Sequence, residues 1–240
     1  ANSLSASSSS DKETYSLLLD GTGDYLSIGN ALDLGTADFS LSIWVKFADW
    51  DGQADRIFTK YEDGNNYWFL AKEADGKISF TAKGDDGDSD EILINSGGGA
   101  DETAANDGKW VHICVSADRD GNFLIFKNGD LLKTVDISGT AKEAITLSNA
   151  GEMRIGSLAT NDAFDVLGNL DEAAIFNVAL SAAEVAGIYN NGRPFNLTND
   201  YGDYDQSAAL VAYWKMFDGA FDDKANGIVH DAHNPGFGAE

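Results

Sequence analysis

The sequence predicts an all-β protein built as an antiparallel two-sheet sandwich. Three observations predict it. Apolar residues recur with a period of two in many short segments. Those segments are separated by Asx-Gly dipeptides suited to tight turns. Gly is abundant (26) and Pro scarce (2), a balance that favours many turns between many strands. With 43% hydrophobic and 11% aromatic residues among 240, the chain can fill a sizeable core.

The elements follow in order. Residues 1–14 form a Ser-rich arm lacking the charged start and apolar run of a signal peptide. Leu17 to Leu19 leads through the turn Asp20-Gly21-Thr22-Gly23-Asp24 into a second strand, Tyr25 to Ile28. Leu41, Ile43, Val45 and Phe47 alternate with Ser40, Ser42, Trp44 and Lys46, the period of a strand with a core face. Tyr67–Ala71 and Lys77–Ala82 flank Asp75-Gly76 as a hairpin. Residues 84–108 read as a long polar loop interrupted by Ile92 to Ile94. Its acidic run, Asp85 to Glu91, lacks the spacing of an EF-hand and reads as solvated.

From Trp110 to Ile137 three strands are joined by Asp120-Gly121 and Asn128-Gly129, predicting a meander. Met153–Gly156 and Asn169–Phe176 are two more strands. One short helix is marked near 181–189: Ser181 and Glu184 form a capping box, Leu180 can staple onto Val185, and Asn190-Asn191-Gly192 supplies the stop. Residues 195–240 form a C-terminal extension, strand-like over Leu210 to Met216. It is too short to bury a core alone and is expected to pack on the sandwich or a neighbouring subunit.

Charge and motifs exclude several functions. Forty acidic against 16 basic residues give a net charge of −24, which disfavours nucleic acid and anionic membranes. No apolar run is long enough to span a bilayer, so membrane insertion is not expected. Cys114, the single cysteine, sits in an apolar strand and reads as a small buried hydrophobe.

The ordered blocks Leu19-Asp20-Gly21 to Asp24-Tyr25-Leu26, Phe39 to Lys46, Ile57 to Lys60, Gly108 to His112, Lys127-Asn128-Gly129, Arg154-Ile155-Gly156, Leu170-Asp171-Glu172 and Ala179 to Glu184 resemble the laminin G-like branch of the concanavalin A-like lectin/glucanase superfamily. The resemblance spans residues 15–194 and implies a jelly-roll of two curved sheets. It also implies a structural Ca²⁺ between the early turn and the late strand, carried over onto Asp20, Gly21, Asp24 and Asp171. Hard oxygen ligands of that kind suit calcium. Asx-turns at Asp20 and Asp24 are the competing reading.

Lectin-like sandwiches commonly bind glycans through exposed aromatic faces beside polar groups. Here the candidates are Trp50, Tyr61, Tyr67 and Trp68, with burial at the sandwich edge as the alternative for each. The related glucanases carry Glu-x-Asp-x-Glu on one strand face; no such alternation occurs here, and no catalytic residues are assigned. Leu170-Asp171-Glu172 should place its carboxylates on opposite faces. The expectation is a non-catalytic module displayed on a virion surface or outside the cell. It would assemble or self-associate through the N-terminal arm and the C-terminal extension, and could contact cell-surface glycans. A secreted, calcium-supported lectin module of a larger protein is the alternative.

Overall fold

The computed structural model describes residues 16–50, 52–84, 91–97, 106–158, 164–216 and 228–230. The N-terminal arm 1–14 and the acidic run 85–90 lie outside the described residues. The strands are β1 (Leu17–Asp20), β2 (Tyr25–Gly29), β3 (Phe39–Phe47), β4 (Asp55–Asp63), β5 (Asn66–Lys72), β6 (Ile78–Lys83) and β7 (Glu91–Asn95). They continue with β8 (Val111–Ala117), β9 (Asn122–Lys127), β10 (Asp130–Asp136), β11 (Glu152–Ile155), β12 (Leu167–Phe176), β13 (Leu210–Trp214) and β14 (Ile228–His230). A helix, α1, spans Ala182–Tyr189.

Among the described residues these strands form two antiparallel sheets. Sheet A runs β1-β12-β3-β8-β9-β10, with β13 also paired to β12; sheet B runs β14-β2-β11-β4-β5-β6-β7. The early β1 lies beside the late β12, and β2 beside β11, so sequence-distant strands close both sheets. The predicted meander is β8-β9-β10, turning through Asn128 and Gly129 at φ 53° and 80°, where a left-handed turn is needed.

The core lies between the sheets. Leu41, Ile43 and Val45 of β3 meet Trp68, Leu70, Phe80 and Ile155 from sheet B. The segment read as an interrupted polar loop contains β7, the edge of sheet B. Ile92 and Ile94 enter the core while Leu93 faces out. Three apolar residues in five suffice for an edge strand whose other face is wet.

Sheet A carries a second layer. Leu180, Val185 and Ile188 pack with Leu197, Tyr204, Leu210 and Tyr213 over Cys114, Phe126, Ala174 and Phe176 on its outer side. The described part of the C-terminal extension is therefore built into the sandwich, with β13 paired to β12. Serines pin this layer. Ser40 Oγ accepts from Leu180 N (2.9 Å) and donates to Val178 O (2.8 Å), and Ser116 Oγ donates to Leu180 O (2.7 Å). The capping box forms as read: Glu184 N donates to Ser181 Oγ, and Ser181 N to Glu184 Oε2.

One expectation fails here. Between Asp171 and Ala174 the register with β3 slips, and Glu172 adopts φ 48°. This bulge puts the Glu172 carboxylate against Ser42 and Trp44, and Asp171 itself pairs with Trp44. The two carboxylates share the outer side of sheet A instead of opposite faces, because a bulge breaks the period of two.

Candidate functional site

The outer face of sheet B is where aromatic and polar side chains come to the surface together. Register builds it in rows. Glu152 lies opposite Tyr61, Tyr61 opposite Tyr67, Tyr67 opposite Lys83, and Lys83 opposite Glu91. The next row joins Ser27, Arg154, Thr59, Phe69, Thr81 and Leu93. Because directly opposed residues share a face, the pairing alone assembles these side chains.

Within the rows, three rings form a column. Tyr61 stacks on Tyr67 with centroids 5.7 Å apart and planes at 23°, and Tyr67 on Phe69 at 5.6 Å and 9°. Arg56 caps the Phe69 end, 4.3 Å from that ring and 4.5 Å from Phe164 on its other side. Glu73 holds Arg56 Nη1 at 3.4 Å. All three rings are partly exposed. Their shared faces are occupied by one another, so the exposure they retain lies away from the stacked faces. Tyr67 donates to Glu91 Oε1 (2.8 Å); burial, reinforced by this carboxylate, pushes its phenol up to about 12. Beside the column Arg154 lies 3.9 Å over Tyr25 and pairs with Glu152 at 2.6 Å.

The structure separates the four predicted glycan residues. Tyr61 and Tyr67 are together in the column. Trp68 is fully buried and stacks on Phe80, because it neighbours outward-facing Tyr67 on one strand and must point inward. Trp50 is also fully buried. Its indole donates to Gly76 O (2.9 Å), its backbone N–H to Asp107 (2.7 Å), and its ring packs edge-on to Phe47. Its loop is fastened by buried Lys72, which bonds Asp55 (2.8 Å) and the carbonyls of Asp49 and Gln53. Neither tryptophan can offer a face to a ligand. Phe69, Arg56, Arg154 and Glu91 were not identified from sequence. The alternation Tyr67-x-Phe69 could have found Phe69, whereas the others require the register.

The predicted calcium set is not brought together. Asp20 lies opposite Leu167 and Leu17 opposite Leu170, so Asp171 falls four positions along the strand from Asp20's partner, about 13 Å away. The turn holds itself by side-chain-to-backbone bonds, an Asx-turn at Asp20 and a reverse bond from Asp24. Thr22 N donates to Asp20 Oδ1 (2.9 Å), and Asp20 N to Asp24 Oδ2 (3.0 Å). One long-range tie of this turn is to another residue, Asp165, whose Oδ2 accepts from Gly23 N at 2.6 Å. Gly21 takes φ 82° to make the bend. Asp171 instead accepts from Glu172 N (2.9 Å). Among the described residues no three His, Cys, Asp or Glu are grouped to hold a metal ion. Asp20, Gly21, Asp24 and Asp171 therefore do not fit a single calcium ion.

Comparison with known proteins places this architecture. A family model described as the concanavalin A-like lectin/glucanases superfamily matches residues 20–186. No match was found among curated protein sequences. Among solved structures, a heptameric SAP-like pentraxin from Limulus polyphemus is similar at TM-score 0.53 and 15% identity, over 92% of this chain and 94% of its own. Domain 4 of AbnA, a GH43 extracellular arabinanase from Geobacillus stearothermophilus in complex with arabinotriose, is similar at TM-score 0.52 and 19% identity, covering 71% and 74%. The binding domain of Paraclostridial Mosquitocidal Protein 1 gives TM-score 0.54 at 17% identity, covering 77% of this chain and 50% of that one. This chain thus spans nearly all of the pentraxin but half of the toxin domain. At such identities the likeness is one of fold. Among the described residues no helix is long and apolar enough to cross a membrane.

Proposed function

The chain belongs to the concanavalin A-like lectin/glucanase superfamily, and from that premise we propose that it is a non-catalytic carbohydrate-binding domain whose ligand lies on the outer face of sheet B. One observation carries the reading: the partly exposed Tyr61–Tyr67–Phe69 column, flanked by polar side chains and uncovered by any described layer. Apolar ring edges beside hydroxyl, guanidinium and carboxylate groups supply both contacts a sugar needs, C–H packing and directional hydrogen bonds. The arabinanase domain of similar fold is described with a bound trisaccharide, which makes the same ligand chemistry reasonable here.

The test is titration of the full chain against a panel of oligosaccharides by calorimetry or affinity electrophoresis. Binding that Tyr61→Ala and Tyr67→Ala each weaken, while both variants melt like the parent, supports the assignment. Binding indifferent to both variants removes it. Non-catalytic action predicts no new reducing ends on prolonged incubation with any ligand found.

Display on a virion or in the extracellular space is proposed on the acidic composition, the Ser-rich residues 1–14 and the C-terminal extension. Its test is light scattering of the chain with and without residues 1–14. A defined oligomer that needs the arm supports assembly. Identical masses remove that support.

A further inference from the structure

We infer that the ligand of this face is an uncharged oligosaccharide bound along several residues, not an acidic sugar held at a chain end; the inference rests on the carbohydrate reading above. Recognition of a sialic or uronic acid calls for a cation, best a guanidinium free to make a paired bond to the carboxylate. Among the described residues the two guanidiniums beside the column are already engaged. Arg56 is 9% exposed, clamped between two rings and bonded to Glu73. Arg154 lies on Tyr25 and is held by Glu152 through both Nε (2.7 Å) and Nη2 (2.6 Å). Lys77 is paired with Asp75, and Lys83 reaches Asn65 Oδ1 at 3.1 Å.

Carboxylates occupy the rest of the rim: Glu91 at the Tyr67 hydroxyl, Glu152 opposite Tyr61, and exposed Glu62 and Asp63 at the β4–β5 turn. They belong to a chain of net charge −24. An anionic sugar would approach a surface of its own sign and find both guanidiniums beside the column committed, a penalty in both encounter and bound state. A neutral polyol meets neither cost, and carboxylates are good acceptors for sugar hydroxyls.

Geometry sets the length. From Tyr61 the rows cross β4, β5, β6 and β7 to Leu93, which is 53% exposed. Three inter-strand steps make about 14 Å. Leu93 then borders an open cleft of about 420 Å³ lined with Ser79, Asn95, Glu73, Asp75 and the Asp75-paired Lys77. The column and this cleft lie on one face across the strands, a stretch long enough for several sugar residues.

The experiment titrates the full chain with arabinotriose, with neutral oligosaccharide ladders of two to six residues, and with lactose against 3′-sialyllactose, at low and high salt. Each neutral series is matched by its uronate-bearing counterpart. The inference expects affinity that rises with length to about three or four residues. It also expects acidic counterparts at least tenfold weaker, and neutral binding insensitive to salt. Acidic ligands that bind as well as their neutral partners, or binding that salt abolishes, overturn it while leaving the carbohydrate reading intact. Affinity complete with one terminal sugar overturns binding along several residues. Failure of every neutral and acidic probe overturns the carbohydrate reading itself, and this inference with it.

Discussion

The outer faces of the two sheets carry similar residues and end differently. On sheet A the outward positions include Trp44, His112, Cys114, Phe126 and Phe176, all of them buried. On sheet B they include Tyr25, Tyr61, Tyr67 and Phe69, all of them partly exposed. The strands do not make the difference. Chain that follows β12 returns over the middle of sheet A as α1 and the 195–209 segment, and covers it with Leu180, Val185, Leu197 and Tyr204. No described segment does the same for the Tyr61–Tyr67–Phe69 column. An outward aromatic is therefore core or platform according to what comes back to cover it.

The largest effect should come from breaking the seal. Tyr204 is fully buried, lies edge-on to Phe176 and Phe195, and donates its hydroxyl to Leu197 O at 2.7 Å. Tyr204→Ala should cost about 3–5 kcal/mol, lost transfer energy plus an unfilled cavity. Urea unfolding followed by tryptophan fluorescence measures it. Tyr204→Phe, which removes only the hydrogen bond, should cost about 1 kcal/mol. If Tyr204→Ala is nearly neutral, the second layer does not contribute as packed core.

Acid should attack the sealed face next. His112 lies beneath α1, 5.4 Å from the Trp44 ring and 6.2 Å from Tyr189, with Nε2 2.9 Å from Ser42 Oγ. Burial lowers its pKa from 6.5 to about 3. The folded state keeps the ring neutral while the unfolded chain protonates it below 6.5, so the unfolded state binds more protons in that window. Stability from this residue is complete above pH 6.5 and is lost as pH falls toward 3, by about 1.4 kcal/mol per unit. The difference in unfolding free energy between the parent and His112→Gln should shrink with that slope from pH 6.5 to 4.5. A constant difference would mean that the ring is already hydrated or charged when folded.

A smaller change tests the lid of the seal. Ser181 caps α1 from an exposed position, so Ser181→Ala should cost about 1 kcal/mol. Amide exchange over residues 182–189 should quicken before any exchange in the sheets. Sugar affinity should not change, since α1 covers the opposite sheet.

Much of the fold was legible because its signals are local. The turn dipeptides, the alternation in β3 and the Ser181–Glu184 box each lie within a few residues. β7 was lost because Ile92 to Ile94 is a short apolar island among acidic and glycine residues, and only pairing with β6 makes it a strand. The site was half legible. Tyr61 and Tyr67 are aromatic residues beside polar groups, but Trp50 and Trp68 fit that description equally well. Trp68 could have been removed by noticing that neighbours on a strand face opposite ways. Trp50 could not, since its burial depends on Gly76 and Asp107, distant in sequence. Asp171 failed for a related reason: family position fixed its strand, while the register fixed how far it stands from the turn.

The smallest effect on stability should fall on the open face, and there it matters most that it is small. Tyr67 is the middle ring of the column and, like Tyr204, a hydrogen-bonded tyrosine in contact with two aromatic neighbours, stacked here and edge-on there. Yet its hydroxyl bonds a partly exposed carboxylate, and no second layer closes over it. Tyr67→Ala should therefore change the unfolding free energy by no more than about 1 kcal/mol. It should weaken oligosaccharide binding at least about tenfold, the consequence of removing a central aromatic contact. Tyr67→Phe keeps the stack and frees Glu91, so it should retain most of the affinity if ring packing dominates. The same truncation applied to the same residue type would then cost folding on one sheet and binding on the other. A Tyr67→Ala variant as unstable as Tyr204→Ala would instead make the column structural, and the two faces would differ only in how completely they are covered.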